Sequence, residues 1–137
     1  MNYFDTEVIE KLTKFSLDYE LAGEKEKNLI INNINSLPFY GSKIKWDSLS
    51  ELKSFAISTE LNQGLIFLKN KLHCKNINYA YFCGDSNTEE IYKIKIDNLE
   101  TFTNIFIETS QHIYITSMDM DFIVCLSMEG YFDYGEL

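Results

Sequence analysis

No arginine occurs in this 137-residue chain. Without arginine there is no planar guanidinium fork, which excludes bidentate capture of phosphate or carboxylate. Lysine is missing from the last 42 residues, because Lys95 is the final basic side chain. Proline occurs once, at Pro38, and no Gly/Ser-rich linker interrupts the chain, so one domain over residues 1–137 is expected. The three cysteines, Cys74, Cys83 and Cys125, are an odd number without the spacing of a disulfide framework. Free thiols in a reducing cytoplasm are the simplest account. No apolar run approaches the ~18 residues of a membrane span. The first residues carry neither the basic stretch nor the apolar core of a signal peptide. The expectation is a cytoplasmic protein with no membrane association.

What is present is acid. Residues 1–95 hold thirteen carboxylates against twelve lysines, a net of −1, whereas residues 96–137 hold eight carboxylates and no lysine. Nearly all of the formal charge of −9 therefore sits in the final third. A one-signed surface attracts opposite charge, which points to a cationic partner. With a pI near 4.6 and no local basic patch, nucleic acid is not expected as that partner.

The periodicity of the apolar residues sets the elements. Val8, Leu12, Phe15 and Tyr19 recur at helical spacing and predict a helix over 6–21, with Asp5 as its cap. A second helix is predicted over 24–36, stopped by Pro38, and a third over 59–72 with Leu61, Leu65, Leu68 and Leu72 on one stripe. Residues 39–58 are ambiguous: 39–46 fit a short strand, and Ser48 to Glu51 form a capping-box pattern. From Asn76 the period changes to two. Strands are predicted at 77–82 and 89–96, the second with Lys93 and Lys95 on a wet face. A helix capped by Asp97 follows through about Glu108, then a β-meander of 112–116, 121–127 and 131–134. The whole reads as α+β, with N-terminal helices packed on one face of a mostly antiparallel sheet formed by the C-terminal half.

Several chemistries fall short of their patterns. His73, Cys74 and Cys83 lack the two close ligand pairs of a structural zinc site. A cysteine nucleophile needs a lowered thiol pKa, and Cys83, before a glycine turn, is the most exposed candidate. Asp119 and Asp121 sit in a turn, but the next positions are apolar where a calcium loop continues with ligands. A carboxylate hydrolase needs one acid with a raised pKa in a pocket. No metal and no cofactor is expected. The remaining constellation is Asp119, Asp121, Glu129, Asp133 and Glu136, interleaved with Tyr114, Tyr131, Phe132 and Tyr134. Tyrosines anchor protein interfaces and carboxylates steer them. By alternation, Tyr131 and Asp133 share one face of their strand while Phe132 and Tyr134 share the other.

Read along residues 113–135, a strand, an acidic turn, a strand ending in Ser127-Met128-Glu129-Gly130 and an aromatic last strand resemble the C-terminal pattern of small bacterial immunity proteins. These are the cognate inhibitors of contact-dependent inhibition and related polymorphic-toxin systems. The resemblance covers residues 78–137. It implies a non-enzymatic protein that binds one toxin domain, of a nuclease type with a basic cleft, and occludes its active site or substrate cleft. Asp119, Asp121, Glu129 and Asp133 are then expected as steering charges and Tyr131 as the anchor. Two alternatives stay open: a small hydrolase or transferase using a carboxylate or Cys83, and an acidic adaptor or nucleic-acid mimic.

Overall fold

The computed structural model describes residues 1–84, 88–109 and 112–137. Helix α1 (Tyr3–Lys14) buries Val8 and Leu12 as the spacing requires. It starts before residue 6, because the cap is Asn2, whose side chain accepts the Asp5 N–H at 2.8 Å. It ends well before residue 21. Ser16 adopts a left-handed φ of 52°, and the N–H groups of Ser16 and Leu17 turn back onto the carbonyls of Thr13 and Leu12. This double closure usually uses glycine, so a serine there leaves no sequence signal. Phe15 is consequently exposed, and Tyr19 reaches the core from outside the helix.

The remaining elements are β1 (Glu20–Leu21), α2 (Glu24–Asn35), β2 (Phe39–Tyr40), β3 (Lys43–Ile44), β4 (Ser50–Ala56), α3 (Ile57–Cys74), β5 (Tyr79–Gly84), β6 (Ile91–Lys95), α4 (Leu99–Phe106), β7 (Ile113–Thr116), β8 (Phe122–Leu126) and β9 (Tyr131–Glu136). Seven strands form one sheet in the order β1-β6-β5-β7-β8-β9-β4, antiparallel at every pairing. Strands β2 and β3 make a separate hairpin. The α+β class and the meander β7–β8–β9 are as expected.

Two features of the expected architecture are corrected. The sheet is not built from the C-terminal half alone, since its two edges, β1 and β4, come from residues 20–56. Nor do the helices share one face. Helices α1, α3 and α4 cover the face carrying Phe82, Tyr92, Ile115, Val124, Phe132 and Tyr134. Helix α2, the β2–β3 hairpin and the turn holding Trp46 and Leu49 cover the other, against Tyr81, Ile91, Ile123 and Cys125. Strand β8 is buried at all five positions because both its faces are covered.

Local signals yield where tertiary pairing competes. Ser48 does not cap a helix; its hydroxyl bonds the Lys45 carbonyl at 2.6 Å, and Ser50–Ala56 pairs with β9 instead. Glu51 takes a φ of 55° where the β4–β9 register shifts. Asp97 is not a side-chain cap either: a short 3₁₀ turn leads into α4, and the exposed Asp97 faces Lys69 at 3.7 Å. Gly64, an unfavourable residue inside α3, sits where an added Cβ would come within 3.2 Å of the Phe132 ring. Its absence of a side chain lets α3 approach the sheet. The expected turn after Gly84 falls on residues 85–87, outside the described residues. Among the described residues, no helix is long and apolar enough to cross a membrane.

Candidate functional site

Folding offsets half of the late carboxylates that make the chain asymmetric. Four of the eight late carboxylates meet lysines from earlier in the chain: Asp97 with Lys69, Glu108 with Lys11 at 2.7 Å, Glu129 with Lys43 at 3.6 Å, and Glu136 with Lys75 at 3.1 Å and Lys71 at 3.8 Å. Glu100, Asp119 and Asp121 are exposed and make no ion pair among the described residues.

The five expected site residues divide into two groups. Asp119 and Asp121 occupy the β7–β8 turn, whose backbone is held by the Thr116 hydroxyl on the Phe122 carbonyl at 2.7 Å and by the Ser117 hydroxyl accepting the Asp121 N–H at 3.2 Å. Glu129, Tyr131 and Asp133 lie in and after the β8–β9 turn. Consecutive turns of a meander fall at opposite ends of the sheet; Asp133 lies part-way between them, opposite Cys125, and the two turns are separated by the five residues of β8. At the rise of an antiparallel strand that is about 17 Å.

Glu129, Tyr131 and Asp133 are brought together with residues not expected in the site. In the antiparallel ladder Cys83 faces Tyr114, Tyr114 faces Cys125, Cys125 faces Asp133, and Asp133 faces Ser54. Paired residues project on the same side, so this row floors the face that the β2–β3 hairpin covers. Between row and hairpin lies a cleft of about 270 Å³. Tyr40, Lys43 and Ile44 of the hairpin and Trp46 of the turn after it form one wall, and Tyr114, Cys125, Tyr131 and Asp133 the sheet wall. Tyr40 and Tyr131 are 64% and 51% exposed, so aromatic surface stands open at the mouth.

The pKa values of the two carboxylates of the cleft are shifted in opposite directions. Glu129 is held below the ordinary carboxylate range by a hydrogen bond from its own backbone N–H, and Lys43 adds to the effect. Asp133 is half-buried, and desolvation pushes its carboxyl up against the opposing hydrogen bond with Ser54. Asp133 makes no ion pair among the described residues. A charge left half-desolvated without a counter-ion opposes folding.

A larger cavity of about 620 Å³ lies beyond the hairpin, between α2 and strands β5 and β7, and shares Ser42 and Tyr114 with the cleft. Cys83 lines it but is only half-buried; the exposed thiol of the chain is Cys74, at the end of α3, contrary to the ranking expected. Among the described residues no three His, Cys, Asp or Glu side chains converge as a metal site. The hairpin wall had a readable signal: Gly41-Ser42 between two short apolar-containing runs is a two-residue hairpin loop, and Gly41 takes a φ of 60°.

No protein-family model matches the chain, and no curated protein matches it.

Proposed function

We propose that this protein is an immunity protein, a non-enzymatic inhibitor that binds a cognate toxin domain with a basic cleft and occludes its active site or substrate cleft. The observation that carries this reading is Asp133. A half-buried carboxylate without a counter-ion, lining one cleft with exposed Tyr40 and Tyr131, weakens the isolated fold and gains from an arriving cation. The unpaired Asp119 and Asp121, at the other end of the sheet, add a field that accelerates encounter with a basic partner. The reading implies a cytoplasmic location, beside the toxin that is neutralised.

The test is co-expression with the product of the adjacent upstream gene. Rescue of growth together with co-purification of the two proteins supports the reading. A toxic product that is neither rescued nor captured overturns it.

A second reading, a small hydrolase or transferase, draws on Cys83 in the wall of the larger cavity. It requires a thiol more acidic than the usual ~8.5. Alkylation of Cys83 at graded pH, with Cys74 replaced by Ser, separates the cases: an ordinary thiol profile removes this reading.

A further inference from the structure

We infer that the cleft between the β2–β3 hairpin and the β7–β8–β9 meander receives one Lys or Arg side chain from the partner protein, its stem between Tyr40 and Tyr131 and its charged head against Asp133. The inference rests on the binding reading above and names what that binding surface recognises.

Three properties of the cleft select a side-chain cation. Its volume, about 270 Å³, falls below the ~300–1,000 Å³ of sites that enclose drug-sized ligands, which suits a single side chain better than a metabolite. Its walls are aromatic and aliphatic, from Tyr40, Ile44, Trp46 and Tyr131, and apolar walls pack the methylene stem of lysine or arginine while ring faces attract the cation. Its floor presents Asp133, whose carboxylate has a serine hydroxyl beside it and no ion pair among the described residues.

The chain's own lysines leave this position open. Lys43 directs its ammonium to Glu129 at the rim, 3.6 Å away, and Lys45 places its ammonium over the ring of Tyr40, 5.1 Å from the centroid. A cation already rests on one aromatic ring of the hairpin, while Asp133 beneath remains without one. Charge complementarity thus favours a basic side chain over an apolar one, and Glu129 at the rim disfavours an acidic one.

Trp46 is the only tryptophan of the chain and lines the cleft, so its fluorescence reports occupancy. The probes are the N-acetyl methylamides of arginine and lysine, with citrulline and norleucine derivatives as uncharged counterparts. The expected result is a saturable change in Trp46 emission with a cationic probe. The uncharged counterpart should bind at least about tenfold more weakly, which is the weight of one charge-assisted hydrogen bond. The response should be lost in Asp133→Asn and reduced in Tyr131→Ser, an exposed position that serves if the first variant perturbs the fold. Equal response to charged and uncharged probes, or an undiminished response in both variants, overturns the inference. A captured toxin alongside no probe response overturns the cleft but keeps the immunity reading. A probe response with no capturable toxin does the reverse.

Discussion

The carboxylate of Asp5 accepts the hydroxyl of Tyr92 at 2.6 Å across 87 positions of the chain, and both residues are fully buried. The same carboxylate accepts the backbone N–H of Glu89 at 2.8 Å and that of Glu90 at 3.3 Å. It therefore fastens the first turn of α1 to the entry of β6, a role quite different from that of a helix cap. The Tyr92 phenol is pushed far above its ordinary range, by burial first and then by this bond.

Replacing Asp5 removes three hydrogen-bond partners at once. Each buried donor left unsatisfied costs about 1–3 kcal/mol. Asp5→Ala should lose about 4 kcal/mol of unfolding free energy in urea, and Asp5→Asn, which keeps an acceptor oxygen, should lose less. A loss under about 1 kcal/mol for the alanine variant would show that water or local shifts satisfy these donors.

Gly135 lets the Trp46–Leu49 turn rest on β9. A Cβ there would stand 2.9 Å from Leu49 Cδ1, 3.1 Å from Leu49 Cβ and 3.2 Å from Trp46 Cε3. Gly135→Ala should cost about 1–3 kcal/mol, the usual range for overpacking. Because Trp46 must move, its emission maximum should shift in the folded protein. Unchanged emission and stability would place the turn on a softer footing than the packing indicates.

Asp133 makes a pH-dependent prediction of unusual sign. Its folded pKa is raised, so the native state binds this proton more tightly than the unfolded chain does. The contribution of this group to stability therefore falls as pH rises past the ordinary value of about 3.9 and through the raised folded value. Asp133→Asn should melt at a higher temperature than the parent at pH 7, and the gap should close below about pH 3.9. Every other charged or ionisable side chain of the cleft, among them Glu129, Lys43 and His112, is common to both proteins, so the difference isolates Asp133. An equal gap at both pH values removes titration as the cause. The same variant should bind the proposed partner more weakly, trading function for stability.

Asp119 and Asp121 are the carboxylates left to act at a distance. Reversing both to Lys should slow association with a captured toxin about tenfold at low salt, with little change in stability. The rates should converge near 1 M salt, where screening shortens the reach of charge to about 3 Å. Glu100→Lys is the control, since Glu100 is equally exposed but lies on α4, over the opposite face of the sheet. Stopped-flow rates that ignore salt, or that respond as strongly to Glu100, would remove the steering role.

Thr103 carries the one buried side-chain oxygen or nitrogen without a partner among the described residues. Thr103→Val keeps the shape and removes the orphan hydroxyl, so thermal and urea unfolding should show a gain of about 1 kcal/mol. A loss would indicate a hydrogen bond formed in solution.

Much of the fold and part of the site could be read from the chain. The stripe Leu65, Leu68 and Leu72, the alternation Tyr92–Lys93–Ile94–Lys95 and the split of Tyr131 and Asp133 from Phe132 and Tyr134 all follow from periods of 3.6 and 2. Those periods are properties of neighbouring residues, and they survive folding because burial selects one face of each element. The α+β class and the meander follow from them. The ends of α1 and α3 did not, because Ser16 and Asn76 close these helices in left-handed backbone where glycine is the usual signal.

Everything that joins distant segments was decided by tertiary structure. The capture of Ser50–Ala56 by the edge of β9, the placement of α2 on the far face and the Asp5–Tyr92 bond depend on which edges and faces meet, and no local period encodes that. The lysine-free tail shows the consequence for function. Along the chain its eight acids look like one surface, yet folding pairs four of them with lysines from earlier in the chain and parts Asp119 and Asp121 from Glu129 by the length of a strand. Charge is a property of each residue, but an electrostatic site is a property of distance, and distance is set only when the chain has folded.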